Sequence, residues 1–339
     1  MIRVEQLVKQ YDSITAVDGV SLEVTPGELF GFLGPNGAGK TTTIKVLTTL
    51  LRPTSGRAMV AGYDVMKEPG KVRSVIGYVA QDVSVDDKGT GRENLMLQGH
   101  LHHMENKLLR QRVDKLLELV GLTADANRRT ETYSGGMRKR LDLIVGLVHQ
   151  PKVLFLDEPT LGLDPQTRAR VWSYLRDINQ REGITIFLTT HYMEEADTLC
   201  HRLAIIDQGK IKALGSPNEL KDDIGGDRID IGFSEERLIG ESVFVDSALR
   251  VLRGQPFIQR IETLGDSLAV YADRGERIIP QIVELLAQSG VPAKTVTLSR
   301  PSLNDVFLKH TGYTIRGGEA STAERFRERF RRRPKGGNR

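Results

Sequence analysis

The sequence holds a single cysteine, no long apolar run and little net charge outside one end. Cys200 stands alone among 339 residues, so no intrachain disulfide can form and a reducing compartment fits. A membrane-spanning helix needs ~18 or more consecutive apolar residues. Stretches such as LIVGLV (143–148) fall far short, so the chain is not read as crossing a bilayer by itself. The opening MIRVEQLVKQYDS lacks a basic start followed by an apolar core, and predicts no signal peptide. The net charge of +4 is local: residues 324–339 hold eight Lys/Arg against two Asp/Glu, a balance of +6 that leaves the rest near −2. No basic face is therefore evident on the body, and no nucleic-acid partner is expected. Residues 316–339 read as a basic, disordered tail. Phe326 and Phe330 alternate there with arginines, which permits a membrane-surface reading beside the simpler one of a solvated tail.

What is present is the composition of a soluble globular protein, 39% hydrophobic and 27% charged, long enough for two domains. Short apolar runs alternate with helical patterns over the first two-thirds, which predicts an α/β fold. Buried strands are predicted at 29–33, 153–157, 184–190 and 203–207, and helices at 40–51, 106–120, 135–149 and 165–181. The composition shifts at KDDIGGDR (221–228), which reads as a boundary. Beyond it the pattern predicts a small βαββαβ unit: strand 229–233, a helical or mixed stretch 236–252, strands 257–262 and 267–272, helix 276–289 and strand 294–298.

GPNGAGKT (34–41) fits the phosphate-loop pattern between a strand and a helix. Gly34, Pro35, Asn36, Gly37, Ala38 and Gly39 turn backbone N–H groups around phosphate oxygens, and the helix start adds partial positive charge. Lys40 is predicted to reach the β- and γ-phosphates, Thr41 to sit on Mg²⁺, and Thr42 to add a donor. VLFLDEP (153–159) ends a buried strand in two carboxylates. Asp157 is placed to hold Mg²⁺, directly or through water, and Glu158 to orient or deprotonate the attacking water. Together the two motifs predict a nucleoside triphosphatase. His102 and His103 in GHLHHM (99–104) do not read as a metal site, and Cys200 reads as packing.

With TYSGGM between those motifs, residues 3–220 resemble the ATP-binding cassette (ABC) ATPases. The resemblance implies a P-loop NTPase cassette over 1–222, with a mixed sheet, a RecA-like core and a helical subdomain at about 85–150. A small α/β accessory domain would occupy 223–315. Carried over by resemblance, Tyr11 stacks on adenine, and Gln81 contacts Mg²⁺ and the attacking water and senses a membrane partner. Ser134, Gly135 and Gly136 form the signature loop over a partner's ATP. Asp164, also a good helix cap before Pro165, lies at the dimer seam, and His191 is the switch histidine on the γ-phosphate. The stretch 133–165 and RPSLNDVFLKHTG (300–312) look most like daunorubicin/doxorubicin-resistance exporter ATPases. Met137 departs from the glutamine found there in many ABC proteins.

The resemblance implies an ATP-hydrolysing subunit, peripheral on the cytoplasmic face of the cell membrane. It would pair with a second ATP-binding subunit, as a homodimer, and drive a separate permease exporting drugs, lipids or related amphipathic molecules. The alternative is a soluble, non-transport ABC-type ATPase or an ATP-dependent regulator.

Overall fold

A computed structural model describes residues 1–233, 241–265 and 267–311. The predicted tail, with Phe326 and Phe330, lies outside the described residues, as do positions 236–240 of the mixed stretch. In chain order, strands β1 (Ile2–Tyr11), β2 (Ile14–Val24) and β3 (Leu29–Leu33) lead into helix α1 (Lys40–Leu47). Next come β4 (Ser55–Val60), β5 (Tyr63–Asp64), α2 (Pro69–Val75) and β6 (Ile76–Val79). Three helices follow, α3 (Gly91–Leu101), α4 (Asn106–Leu119) and α5 (Gly135–Val145). The chain then alternates through β7 (Val153–Asp157), α6 (Pro165–Glu182), β8 (Thr185–Thr190), α7 (Met193–Leu199) and β9 (Arg202–Asp207). β10 (Lys210–Gly215) and α8 (Pro217–Asp222) lead to the C-terminal elements.

The central sheet has the order β10-β9-β3-β8-β7-β6, parallel throughout except for β10, so it is mixed. Every residue of β3, β7 and β8 is buried, as strands covered on both faces must be. Alternate side chains enter different cores, as the two-residue period of a strand requires. Leu29, Leu33, Leu154, Leu156, Ile186 and Leu188 point into the core shared with the helices. Phe30, Phe32, Phe155 and Phe187 point the other way, where Phe187 packs against Phe30 and Phe155 at 5.6 and 5.7 Å between centroids. That second core is closed by an antiparallel sheet, β2-β1-β4-β5.

Among the helices, Thr90 and Glu93 form a capping box at the start of α3, which fixes where that helix begins. Gly99 lets α3 approach α4, since a Cβ there would lie 2.1 Å from Leu109 Cδ1. Arg112 in α4 makes two 2.7 Å bonds to Glu182 at the end of α6, a bidentate clamp between the helical layer and the sheet layer. Two helices are shorter than their patterns predict. α1 stops at Leu47, not 51: the Thr48 hydroxyl turns back to the Ile44 carbonyl at 2.9 Å, and Thr49 is left-handed at φ 64°. α5 stops at Val145, not 149, where the Gly146 carbonyl meets β6 so closely that a Cβ on Gly77 would come within 2.1 Å.

The C-terminal elements are β11 (Asp227–Gly232), α9 (Glu241–Leu252), β12 (Arg260–Leu264), β13 (Ser267–Ala272), α10 (Gly275–Gln288), β14 (Thr295–Ser299) and α11 (Leu303–Thr311). The strands form an antiparallel sheet of order β12-β13-β11-β14, and the predicted βαββαβ succession is present. Ile229, Ile231, Leu268 and Val270 meet Ile282 and Leu286 of α10 in a core of their own. α11 does not join that core. Leu303, Val306 and Phe307 return to the large core, with Leu199 and Leu220. Among the described residues no helix is long and apolar enough to cross a membrane.

Candidate active site

The parallel strands decide what meets at the site. β3, β8 and β7 lie side by side, with Leu33 level with Thr190 and Asp157 level with Thr189. Their C-terminal ends therefore deliver Gly34, His191 and the Asp157–Glu158 pair to one edge of the sheet, where ligands bind in open α/β folds. Gly34 is anchored there by a 3.1 Å bond from its N–H to the Thr190 carbonyl.

The glycines of the loop are set by space and by backbone angle. A Cβ on Gly34 would lie 2.2 Å from the Ile206 carbonyl oxygen. Gly39, at φ 106°, would place one 2.4 Å from the Ala16 carbonyl oxygen. Only glycine satisfies both demands. The turn then runs directly into α1, whose first residue is Lys40. Lys40 is 4% exposed and donates to the carbonyls of Gly34 (2.7 Å) and Pro35 (3.1 Å). It also pairs with Glu158 Oε1 at 3.1 Å. Burial pulls the Lys40 ammonium below the usual lysine range, against the opposing pull of Glu158 and Asp157.

Glu158 adopts φ 50°, a left-handed conformation rare for a non-glycine residue and costing on the order of 1–3 kcal/mol. Its N–H, held at 3.1 Å by both the carbonyl and the hydroxyl of Thr189, locks that turn. The kink takes the side chain out of the strand's alternation and sets it between Lys40 and His191 Nδ1, which lies 3.0 Å from Oε2. Burial opposes ionisation of this carboxyl, but the His191 bond and the Lys40 charge outweigh it and hold Glu158 below the usual carboxylate range. Asp157 stays in the strand. Its Oδ1 accepts from Thr189 Oγ1 at 2.6 Å and from Thr41 Oγ1 at 3.3 Å. Lys40, Thr41, Asp157, Glu158 and His191 thus form one bonded group.

A second group assembles at helix starts. Ser134 caps α5, its hydroxyl accepting from Met137 N at 3.3 Å. Asp164 caps α6, accepting from Thr167 N at 3.0 Å and from Thr167 Oγ1 at 2.6 Å. These bonds lower its carboxyl below the usual range. Thr167 joins the two, because a Cβ on Gly136 would lie 2.9 Å from Thr167 Cγ2. Gly135 differs: a Cβ there would meet nothing within 4 Å, and its φ is not positive. Nothing in its own chain requires that glycine.

Tyr11 and Gln81 stand apart from both groups. Tyr11, 43% exposed, ends β1 with the Lys9 ammonium 5.0 Å from its ring centroid. The Gln81 side chain is exposed, while its carbonyl accepts from Lys139 at 3.2 Å. Sequence reasoning missed Thr189, Thr167, Lys139 and Glu195. Glu195 is fully buried in α7 and accepts from Thr160 Oγ1 (2.7 Å) and Trp172 Nε1 (3.0 Å), bracing the loop that follows Glu158. Burial pushes its carboxyl up. Only Lys139 left a trace in sequence, as an ionic pair with Asp142 three positions on in a helical pattern.

Known proteins resemble this chain along most of its length. Residues 17–161 match the ABC transporter family, and residues 215–311 match the family described as ATP-binding protein DrrA1-3-like, C-terminal domain. The chain is 44% identical to the daunorubicin resistance ATP-binding protein DrrA3 of Streptomyces coeruleorubidus, over 94% of this chain and 98% of the relative. It is 35% identical to the linearmycin resistance ATP-binding protein LnrL of Bacillus subtilis, over 93% of this chain and 100% of the relative. To the Nod factor export ATP-binding protein I of Burkholderia pseudomallei it is 40% identical, over 91% and 96%. Among solved structures, a dimeric ATP-binding cassette in a post-hydrolysis state with ADP and Pi superposes with a TM-score of 0.59 at 25% identity, covering 64% of this chain and 98% of that one. The two family matches fall on the cassette and on the accessory unit, and the relatives align along nearly the whole length: the chain belongs to the ABC transporter ATPases, in the daunorubicin/doxorubicin-resistance group.

Proposed function

We propose that this chain hydrolyses ATP as the engine of an exporter whose membrane-spanning part is a separate permease, working as a head-to-tail homodimer on the cytoplasmic face of the cell membrane. The observation that carries the hydrolytic role is the buried line Lys40–Glu158–His191, with separations of 3.1 and 3.0 Å. Lys40 exchanges Glu158 for β- and γ-phosphate oxygens when ATP enters the loop. Glu158, ionised and steadied by His191, is then free to orient and accept the proton of the attacking water. Tyr11 offers its exposed ring to adenine.

The donors beside the phosphate loop suit Mg²⁺. Thr41 Oγ1 and Asp157 Oδ1 are hard oxygens 3.3 Å apart, and Gln81 would complete the set. The ion would neutralise phosphate charge; the protein's own part is to hold Asp157 Oδ1 through Thr189 and Thr41 Oγ1 beside it.

The unhindered Gly135 supports the dimer reading: it leaves backbone open to close approach from outside the chain, as a partner's γ-phosphate at the start of α5 requires. Asp164, at the start of α6, would face the same seam. Closing two cassettes over two ATP molecules excludes water, and hydrolysis removes the phosphate that bridges them. The relatives' names point to amphipathic drugs and related molecules as cargo, which the permease would contact. A soluble, non-transport role has less support, since the described helical region contains no long coiled-coil insertion.

Glu158→Gln tests this. The variant should bind ATP, lose turnover by at least about a hundredfold, and form a dimer with ATP in size-exclusion chromatography. Unaltered hydrolysis would remove Glu158 from the mechanism. Co-purification of a multi-span membrane protein with the full chain supports the exporter, whereas recovery only of nucleic acid overturns it.

A further inference from the structure

The segment that carries Gln81 has no regular secondary structure from residue 80 to 84, so side chains must hold its backbone. α5 supplies them. Lys139 Nζ donates to the carbonyls of Ala80 and Gln81, both at 3.2 Å. Asp142 Oδ1, one turn further on, accepts from Ser84 N at 3.2 Å and from Ser84 Oγ at 2.8 Å. The two α5 side chains lie 3.9 Å apart and are 5% and 2% exposed, so both are buried beneath an exposed loop.

Stability alone does not call for this arrangement. A buried ion pair must recover a desolvation cost of several kcal/mol per ion, and an apolar pair of similar size often does as well or better. Here the recovery is incomplete, because Asp142 Oδ2 has no hydrogen-bond partner. What an apolar pair could not do is grip two carbonyls and an N–H of a loop and fix their distance from the helix.

The other end of that helix is the signature loop. Lys139 lies five residues beyond Ser134, which at ~1.5 Å per residue is roughly 7–8 Å along one rigid rod. We infer that Lys139 and Asp142 are positioning residues that fasten the Gln81 segment of a cassette's own ATP site to the Ser-Gly-Gly loop it lends to its partner. The inference rests on the head-to-tail reading above. A displacement of Gln81 by ATP bound in cis is carried along α5 to the loop presented in trans. In a homodimer each chain does this for the other, so the two sites fill cooperatively without direct contact between the nucleotides.

The test uses the full chain in the Glu158→Gln background, where hydrolysis does not obscure assembly. Lys139→Met removes the one nitrogen that makes both bonds while keeping the length of the side chain, and Lys139→Met with Asp142→Leu replaces the clamp by an apolar pair of similar volume. Single-chain affinity for a fluorescent ATP analogue, measured at low protein concentration, should stay within about twofold in both. The ATP-driven dimer should weaken by about fivefold or more, the lower end of ordinary site-to-site coupling. Lys139→Arg, which can still reach both carbonyls, should restore the dimer. If the variants dimerise as the parent does, the clamp couples nothing and the inference falls. It also falls if ATP affinity, melting temperature and dimerisation decline together, because the pair then only supports the fold. Failure of the Glu158→Gln parent itself to dimerise with ATP overturns the head-to-tail reading, and this inference with it.

Discussion

His191 touches Glu158 through one nitrogen, and on the proposed mechanism that bond serves hydrolysis and not the binding of ATP. His191→Ala should leave ATP affinity nearly intact while slowing hydrolysis by about 10²–10³-fold, since the carboxylate loses one of its two anchors. Equilibrium nucleotide binding and steady-state phosphate release, measured on one preparation, separate the two effects. Lys40, Thr41, Asp157 and Glu158 were legible in sequence because each belongs to a short contiguous motif at the end of a buried strand. Thr189 was not, although it holds both Asp157 and the kinked backbone of Glu158. Its role exists only because β8 lies beside β7, and nothing in the string TIFLTT announces its neighbour.

Elements show the same division between local and non-local information. Gly135 and Gly136 predict different outcomes for stability. Gly136→Ala forces a Cβ against Thr167 and should lower the melting temperature as well as activity, whereas Gly135→Ala meets no atom of its own chain. It should leave the melting temperature of the isolated chain unchanged and still depress ATP-driven dimerisation and turnover. Thermal melts beside ATPase assays separate the pair, and equal melting losses would remove the special role given to Gly135. At the contact between α3 and the turn after α5, the rings of His102 and His149 stack 3.7 Å apart at 8°. Burial drives His149 down to about 4 from an ordinary 6.5; its bond to the Ile76 carbonyl resists this, and His102 and Arg112 add to it. Burial lowers His102 as well, with His103 adding its charge. The unfolded chain therefore takes up a proton at His149 over a range where the folded chain does not. That contribution to stability is complete above about pH 6.5 and is lost as pH falls towards about 4. Melting temperatures should drop between pH 7 and 5, and His149→Gln should flatten the slope. The stack was invisible in sequence, where His102 reads only as one member of a histidine cluster. The antiparallel sheet was invisible for another reason: the pairing of β1 with β2 shifts register repeatedly, and Gln6 sits at φ 46°. Such breaks erase the two-residue alternation that would have revealed β1.

At the scale of the molecule, α11 decides how the chain is divided. The shift in composition at 221–228 marks where the second sheet begins, but not that the last described helix leaves it. Phe307, fully buried in the large core, carries that return. Phe307→Ala should cost about 3–5 kcal/mol. The loss should appear in the unfolding of the ATP-binding part, followed through nucleotide protection against denaturant, and not in the second sheet alone. Removal of residues from Leu303 onward should do the same and expose Leu220, which shares that core. The βαββαβ succession was readable because each of its strands and helices has its own period. The docking of α11 was not, because an amphipathic helix shows that it has a partner without showing which.

The return of α11 also sets a timetable for the ribosome. Chains are made from the N-terminus at about 5–20 residues per second, and domains ordinarily finish folding in the order they emerge. This one cannot, because the core around Leu199 and Leu220 awaits residues 303–307, made after the whole second sheet. For several seconds of synthesis the nascent cassette carries an open apolar seam beside a complete phosphate loop. A chain released early would then be able to hold ATP while still soliciting chaperones.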